Sequence, residues 1–167
     1  EKPFGLVRDR LSALYFSAEE IRLDREYEEV IAKVSSAGAV SRFASNLEEP
    51  RGIALDRSGN LLVADDRGDR QGRLLRFRAP SPPTVNVPPF TRLSPLTVTG
   101  TTQANSRIDA FLNDSTTPIQ VFTQDGSFSL TLNLRLETRN SVVVFTTAHN
   151  GQGLTSAPAQ FTIVHDG

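Results

Sequence analysis

The most polar loop of the chain runs Asp65-Asp66-Arg67-Gly68-Asp69-Arg70. Asp65, Asp66 and Asp69 are hard oxygen donors of the kind calcium takes. The alternating ladder of acidic ligands that a calcium loop needs is missing, and Arg67, Arg70 and Arg73 crowd the stretch with positive charge. Arg67-Gly68-Asp69 is also the tripeptide that integrins read at a loop tip, a motif whose meaning depends on its structural setting. Here it reads as a turn after a strand. The chain has two histidines, His149 and His165, both in its second half. Two separated histidines do not make a zinc site, and both read as surface or edge residues. No serine is placed to pair with a histidine and an orienting carboxylate. No glycine loop for phosphate is present. With 19 acidic residues a carboxylate pair for glycoside hydrolysis can be drawn anywhere, so it carries no information. Glu26, Glu28 and Glu29 read as a solvated face. Asn113-Asp114-Ser115 fits the N-glycosylation pattern and reads as a turn. The expectation is a chain with no catalytic, cofactor-binding or metal-ligating residue, no cofactor, and binding residues that the sequence leaves unassigned.

The elements around the polar loop are more legible. Ile53-Ala54-Leu55 is a short strand candidate, Asp56-Arg57-Ser58-Gly59-Asn60 a turn, and Leu61-Leu62-Val63-Ala64 a returning strand. Asp supplies an acceptor for the turn amides, and Gly and Asn tolerate positive φ. The pattern predicts a β-hairpin. A copy lies upstream without a gap: Pro3, Gly5, Leu6, Asp9, Arg10, Leu14 and Phe16 match Pro50, Gly52, Ile53, Asp56, Arg57, Leu61 and Val63. Ser12 and Ala13 stand where the second copy has Gly59 and Asn60. Third strands are expected at Val30–Val34 and Arg73–Phe77, and a fourth strand of the first unit at Gly38–Phe43. A period in the forties with about four strands per unit is the signature of a propeller blade.

These residues resemble the NHL-type β-propeller repeat over residues 1–79. The resemblance implies a radial array in which each blade packs on its neighbours and the top face binds a partner. A closed propeller usually needs about four to eight blades, and a repeat cannot bury its faces alone. Other protein chains, or missing upstream blades, are therefore expected to cover the exposed blade faces. The start at Glu1 and the absence of Met from 167 residues favour a processed or trimmed chain.

Composition divides the chain. Residues 1–80 hold 14 Lys/Arg and 14 Asp/Glu, whereas residues 81–167 hold 4 and 5. Threonine is absent from the first 80 residues and occurs 15 times afterwards. Two such chemistries predict two domains, 1–79 and 90–167, joined by a proline-rich spacer over 80–89. The net charge of −1 gives no basic field to attract nucleic acid or anionic lipid. No apolar run is long enough to span a membrane, and no signal peptide is present in the sequence. Zero cysteines exclude disulfides and thiolate sites. Together with Thr-rich, low-charge β sequence, this suits an exported bacterial protein whose signal has been removed, at the cell surface or extracellular.

The stretch 18–34 offers two readings. Ser17-Ala18-Glu19-Glu20 has the form of a capping box, and Leu23, Tyr27, Val30, Ile31 and Val34 recur at helical spacing. The repeat alignment instead asks for a long polar loop leading into a strand near Val30. The second half reads as β throughout, with strands at Leu96–Gly100, Arg107–Leu112, Pro118–Phe122, Ser141–Ala148 and Gln160–Val164. Phe128, Leu130, Leu132, Leu134 and Leu136 alternate with polar residues, which predicts a half-buried strand after an Asp125-Gly126 turn. About seven strands with closely spaced turns is the sandwich signature.

Gly100, Asp125-Gly126-Ser127-Phe128, Leu134, Asn140, Val142–Val144, Ala148 and Gly151 resemble the bacterial Ig-like modules of surface proteins. The expected fold is all-β: propeller-type blade repeats plus an Ig-like β-sandwich. The expected function is that of a non-enzymatic, exported surface or assembly protein acting in structural spacing, adhesion or protein docking. The alternatives are the C-terminal accessory part of a larger exported hydrolase or lyase that carries a propeller, and a carbohydrate-binding module. The last would have to stack sugars on Phe, since the second half has no Trp or Tyr.

Overall fold

Asp9 and Asp56 open the same turn in a computed structural model that describes residues 4–21, 27–66, 68 and 72–167. The Asp9 carboxylate accepts from the amides of Leu11 at 2.9 Å and Ala13 at 2.8 Å. The Asp56 carboxylate accepts from those of Ser58 at 2.8 Å and Asn60 at 3.0 Å. Both turns need one left-handed residue, and Gly59 supplies it at φ 87°. Ser12 occupies the same position at φ 67°, where a Cβ costs about 1 kcal/mol. The flanking strands pair in one register: Leu6↔Phe16, Val7↔Tyr15 and Arg8↔Leu14 in the first hairpin, Ile53↔Val63, Ala54↔Leu62 and Leu55↔Leu61 in the second. The gapless repeat read from the sequence is thus a repeat of backbone geometry.

The chain divides into two compact units, Glu1–Ala79 and Pro80–Gly167. In the first, β1 (Leu6–Arg8), β2 (Leu14–Ile21), β3 (Tyr27–Val34) and β4 (Val40–Leu47) form an antiparallel meander in chain order. A second, three-stranded meander follows from β5 (Pro50–Leu55), β6 (Leu61–Asp65) and β7 (Arg73–Phe77). Among the described residues of 18–34 the helical spacing does not produce a helix. β2 runs to Ile21 and β3 starts at Tyr27, so both strands reach further into this stretch than expected. Ladder pairing from Leu14↔Val34 to Ile21↔Tyr27 satisfies the backbone groups a helix would have used. Leu23 and Glu26 lie outside the described residues.

The second unit is a β-sandwich. Its strands are β8 (Thr84–Asn86), β9 (Phe90–Thr91), β10 (Leu96–Thr101), β11 (Ser106–Leu112), β12 (Ile119–Thr123), β13 (Ser127–Leu132), β14 (Arg139–Thr147) and β15 (Ala159–His165). One sheet has the order β13-β10-β8, the other β12-β11-β14-β15-β9. Val98, Leu130 and Leu132 from one sheet meet Ile108, Ala110, Val142, Val144 and Ile163 from the other in a single buried cluster. Two expectations are corrected here. The spacer 80–89 contains β8, which pairs antiparallel with β10, so part of it belongs to the sandwich. The alternating strand ends at Leu132; Leu134 is buried beyond its end, and Leu136 is exposed. Asn140 explains the break. Its buried amide accepts from the Arg135 amide at 2.8 Å and donates to the Arg135 carbonyl at 3.0 Å, curling the chain back towards β14. The fold is all-β, and no α-helix occurs among the described residues.

Candidate docking faces

Side chains alternate between the two faces of a strand, so each sheet of the first unit has an inner and an outer face. Tyr15, Ile31 and Lys33 are buried on the inner face of the first sheet, and Leu61 and Val63 on that of the second. Phe43 joins them: its ring lies edge-on at 5.3 Å from Tyr15 and 5.4 Å from Phe77. Each fully buried apolar side chain contributes about 2 kcal/mol. Burial, reinforced by the charge of Asp9, raises the Tyr15 phenol well above its usual value, so it stays neutral. The Lys33 ammonium sits 5.6 Å above the Tyr15 ring.

The outer faces are also apolar. On the second sheet the outward positions carry Gly52, Ala54, Leu62, Ala64, Leu74 and Arg76, and Leu74 is 70 % exposed. On the first sheet they carry Leu6, Leu14, Phe16, Val34 and Val40 together with exposed Arg8 and Arg42 and buried Ala32, with Leu6 60 % and Val40 69 % exposed. Charge is interspersed among the apolar positions. Arg42 donates to Glu28 at 3.2 Å on the first sheet, and Arg76 lies 3.5 Å from Asp56 on the second. A polar residue every second position would have solvated these faces; the sequence places Leu, Val, Ala and Phe there instead.

The residues singled out for chemistry have structural roles where they are described. Asp65 is buried, accepting from the Glu48 and Glu49 amides at 3.0 and 2.9 Å and from Arg73 at 2.7 Å. Burial alone would push its carboxyl up, but the Glu49 amide, Arg73 and the Glu48 amide outweigh that and hold it below the usual carboxylate value. Its oxygens latch the β4–β5 connection to β6 and β7. Asp66 accepts from the Gly68 amide at 3.1 Å in the turn that follows. Arg67, Asp69 and Arg70 lie outside the described residues. Glu28 is ion-paired rather than solvated, as Arg42 lies beside it. Among the described residues no group of three His, Asp or Glu side chains is placed to hold a metal.

In the second unit His149 is exposed at the start of a short turn, His149–Gly151. His165 is buried, contrary to expectation, because alternation along β15 puts it on the same inward side as Ile163. Its Nδ1 accepts from the Glu137 amide at 3.4 Å. A shallow cleft of about 450 Å³ lies beside it, lined by Glu137, Arg139, Val164 and Asp166 among others. Asn113, the glycosylation candidate, donates to the Asn140 side chain at 3.1 Å and accepts from the Ser141 amide at 3.1 Å, so its amide is engaged within the fold. Asp109 is the buried acid that the sequence reading missed. It accepts from Arg107 at 2.9 Å and Gln120 at 2.6 Å. The polar interruption of an otherwise apolar strand, Arg107-Ile108-Asp109-Ala110, was its signal.

No family model and no curated protein matches the chain. Among solved structures it is similar to the extracellular domain of the hybrid two component system BT3049 from B. thetaiotaomicron, at 12 % identity and a TM-score of 0.38, covering 99 % of this chain and 26 % of that one. It is also similar to the extracellular domain of BT4673 from the same organism, at 7 % identity and a TM-score of 0.34, covering 98 % of this chain and 31 % of that one. The chain thus spans less than a third of the length of these structures. Among the described residues no helix is long and apolar enough to cross a membrane.

Proposed function

We propose that the chain is a non-enzymatic, exported bacterial module whose first unit docks to protein through its sheet faces and whose sandwich acts as a spacer. The observation that supports this reading is the pair of apolar outer faces of the first unit, with Leu6, Val40 and Leu74 more than half exposed. Such faces have a driving force for burial of about 25 cal/mol per Å² of apolar surface. The NHL-type and Ig-like resemblances belong to the same reading, and the cell surface or extracellular space is the proposed location.

The absence of cysteine makes a direct experiment possible, because any introduced thiol is unique. Leu74→Cys places one on the outer face of the second sheet, and Ser58→Cys one in the exposed β5–β6 turn. In the natural assembly the thiol at 74 is expected to react at least tenfold more slowly than in the isolated chain, while that at 58 reacts equally fast in both. Equal rates at 74 would overturn the docking reading. A membrane-impermeant reagent should modify the thiol at 58 on intact cells. Modification only after lysis would overturn export.

A further inference from the structure

The two sheets of the sandwich end in four edge strands, β8, β9, β12 and β13. A free edge presents unpaired backbone N–H and C=O groups to any strand that reaches it, and proteins blunt such edges with shortness, proline, charge or bulges. One side of this sandwich is blunted in that way. β8 has three residues and β9 two; Pro82-Pro83 precede β8, and Pro88-Pro89 lie between the two strands. The other side is not. β12 has five residues and β13 six, with neither proline nor charge in either strand. β12 pairs with β11 from Ser106↔Thr123 to Ala110↔Ile119 without a register shift, so no bulge twists its free edge away. The two unprotected edges differ in their side chains. On β13 the inward Phe128, Leu130 and Leu132 are buried, and the outward Ser127, Ser129 and Thr131 are polar. On β12 the inward Ile119 and Val121 pack against the core but are only partly buried, and the outward Phe122 is 62 % exposed. β12 is thus the edge whose apolar side chains still lack a neighbour.

We propose that β12 pairs with β12 of a second copy of this chain, antiparallel and about a two-fold axis through Val121, so that the five-stranded sheets of two sandwiches run on into one. This joins two chains through their second units, independently of what the first unit binds. Three features favour a second copy over an unrelated strand. The strand is its own complement. In this register Val121 meets Val121, Gln120 meets Phe122 and Ile119 meets Thr123, inward residues with inward and outward with outward. The Phe122 ring comes against a Gln120 amide that Asp109 already holds at 2.6 Å. Charge also permits it. No charged residue occurs over 115–124, so no like charges are brought face to face, and Asp125 comes opposite Thr117 of the other copy. Finally, each ladder from β12 through β11 and β14 to β15 is antiparallel, so a second β12 continues the geometry the sheet already has. The contact is isologous: it closes at two copies and leaves no free β12 edge for a third.

Cross-linking and sedimentation velocity on the 167-residue chain test this. The chain has no cysteine, so Val121→Cys and Gln160→Cys each carry a single thiol. Gln160 is exposed on β15 of the same sheet, away from the β12 edge. Under mild oxidation the thiol at 121 should form a dimer of twice 18.3 kDa about tenfold faster than the thiol at 160, although it is the less exposed of the two. An equal or slower rate at 121 overturns the pairing. Phe122→Lys changes an exposed, outward residue, so circular dichroism should show an intact fold. It should weaken the wild-type dimer about tenfold in sedimentation velocity, through lost apolar burial and two like charges set diagonally across the axis. This comparison decides alone if Val121→Cys fails to fold. A wild type that stays monomeric at the highest soluble concentration overturns the proposal. So does a wild type that associates equally well with and without Phe122→Lys, because the contact would then lie elsewhere than on β12.

Discussion

The Arg10 guanidinium donates to the main-chain carbonyl of Arg57 at 2.8 Å, and the two residues hold equivalent places in the two copies of the repeat. The bond links turn to turn at the margin of the junction between sheets. It is exposed, so Arg10→Ala should cost no more than about 1 kcal/mol, readable as a small drop in urea midpoint with unchanged slope. A loss above about 3 kcal/mol would mean that the arginine is also holding the fold in another way.

Ser12 provides a test in the opposite direction. It holds a left-handed conformation at φ 67° that its counterpart Gly59 adopts without a Cβ. Ser12→Gly should stabilise the first unit by roughly 0.5 kcal/mol, the relieved strain less the added freedom of the unfolded chain. Thermal unfolding that shifts downward would show that the Ser12 side chain contributes more than its backbone costs.

Asp65 is the latch of the first unit, and its replacement should be severe. Asp65→Ala removes the acceptor of the Glu48 and Glu49 amides and the ion-pair partner of Arg73, which keeps only the Asn46 carbonyl, with an expected loss of about 3 kcal/mol. The effect should appear as faster hydrogen exchange at the amides of β6 and β7, with the sandwich unaffected.

The carboxylates also set the acid limit. Hydrogen bonds from Asn60 lower the Asp56 carboxyl despite some desolvation, and the Ser127 amide with the Thr123 hydroxyl lowers Asp125. For Asp65 the latch partners outweigh the opposing effect of burial. In each case the folded state binds the proton more weakly than the unfolded chain. The stability they confer is complete above the unfolded value, about 3.9, and is lost as pH falls from there through the folded values. Unfolding midpoints should hold level above about pH 5 and decline below about pH 4. Asp65→Asn should flatten that acid decline for the first unit, and an unchanged profile would remove Asp65 from the account.

Gly100 sets the spacing in the sandwich. A Cβ built there would run into the Phe128 ring and lie 2.5 Å from the Thr84 carbonyl. The ring and the β8 backbone would both have to move, so Gly100→Ala should cost about 2 kcal/mol or more. Loosened exchange protection on β8 and β13 would be its sign.

The sequence by itself determined the local pieces. Asp-x-x-Gly-Asn between two short apolar runs dictates the β5–β6 turn and its register, because turn chemistry acts over five residues. The copy around Asp9 followed by alignment alone, and alternation placed β13 as far as Leu132. Tertiary structure decided what depends on residues distant in sequence. The helical spacing of Tyr27, Val30, Ile31 and Val34 lost to ladder pairing with β2, because a strand between two partners satisfies its backbone and buries Ile31 together. Thr84–Asn86 reads as spacer among prolines, but β10 offers it an edge. Asp65 reads as part of a polar loop until Glu48, Glu49 and Arg73 are seen around it. The open faces were decided in the same way: nothing local distinguishes Leu74 from Leu61, and only the packing of one sheet on the other buries Leu61 and leaves Leu74 in water.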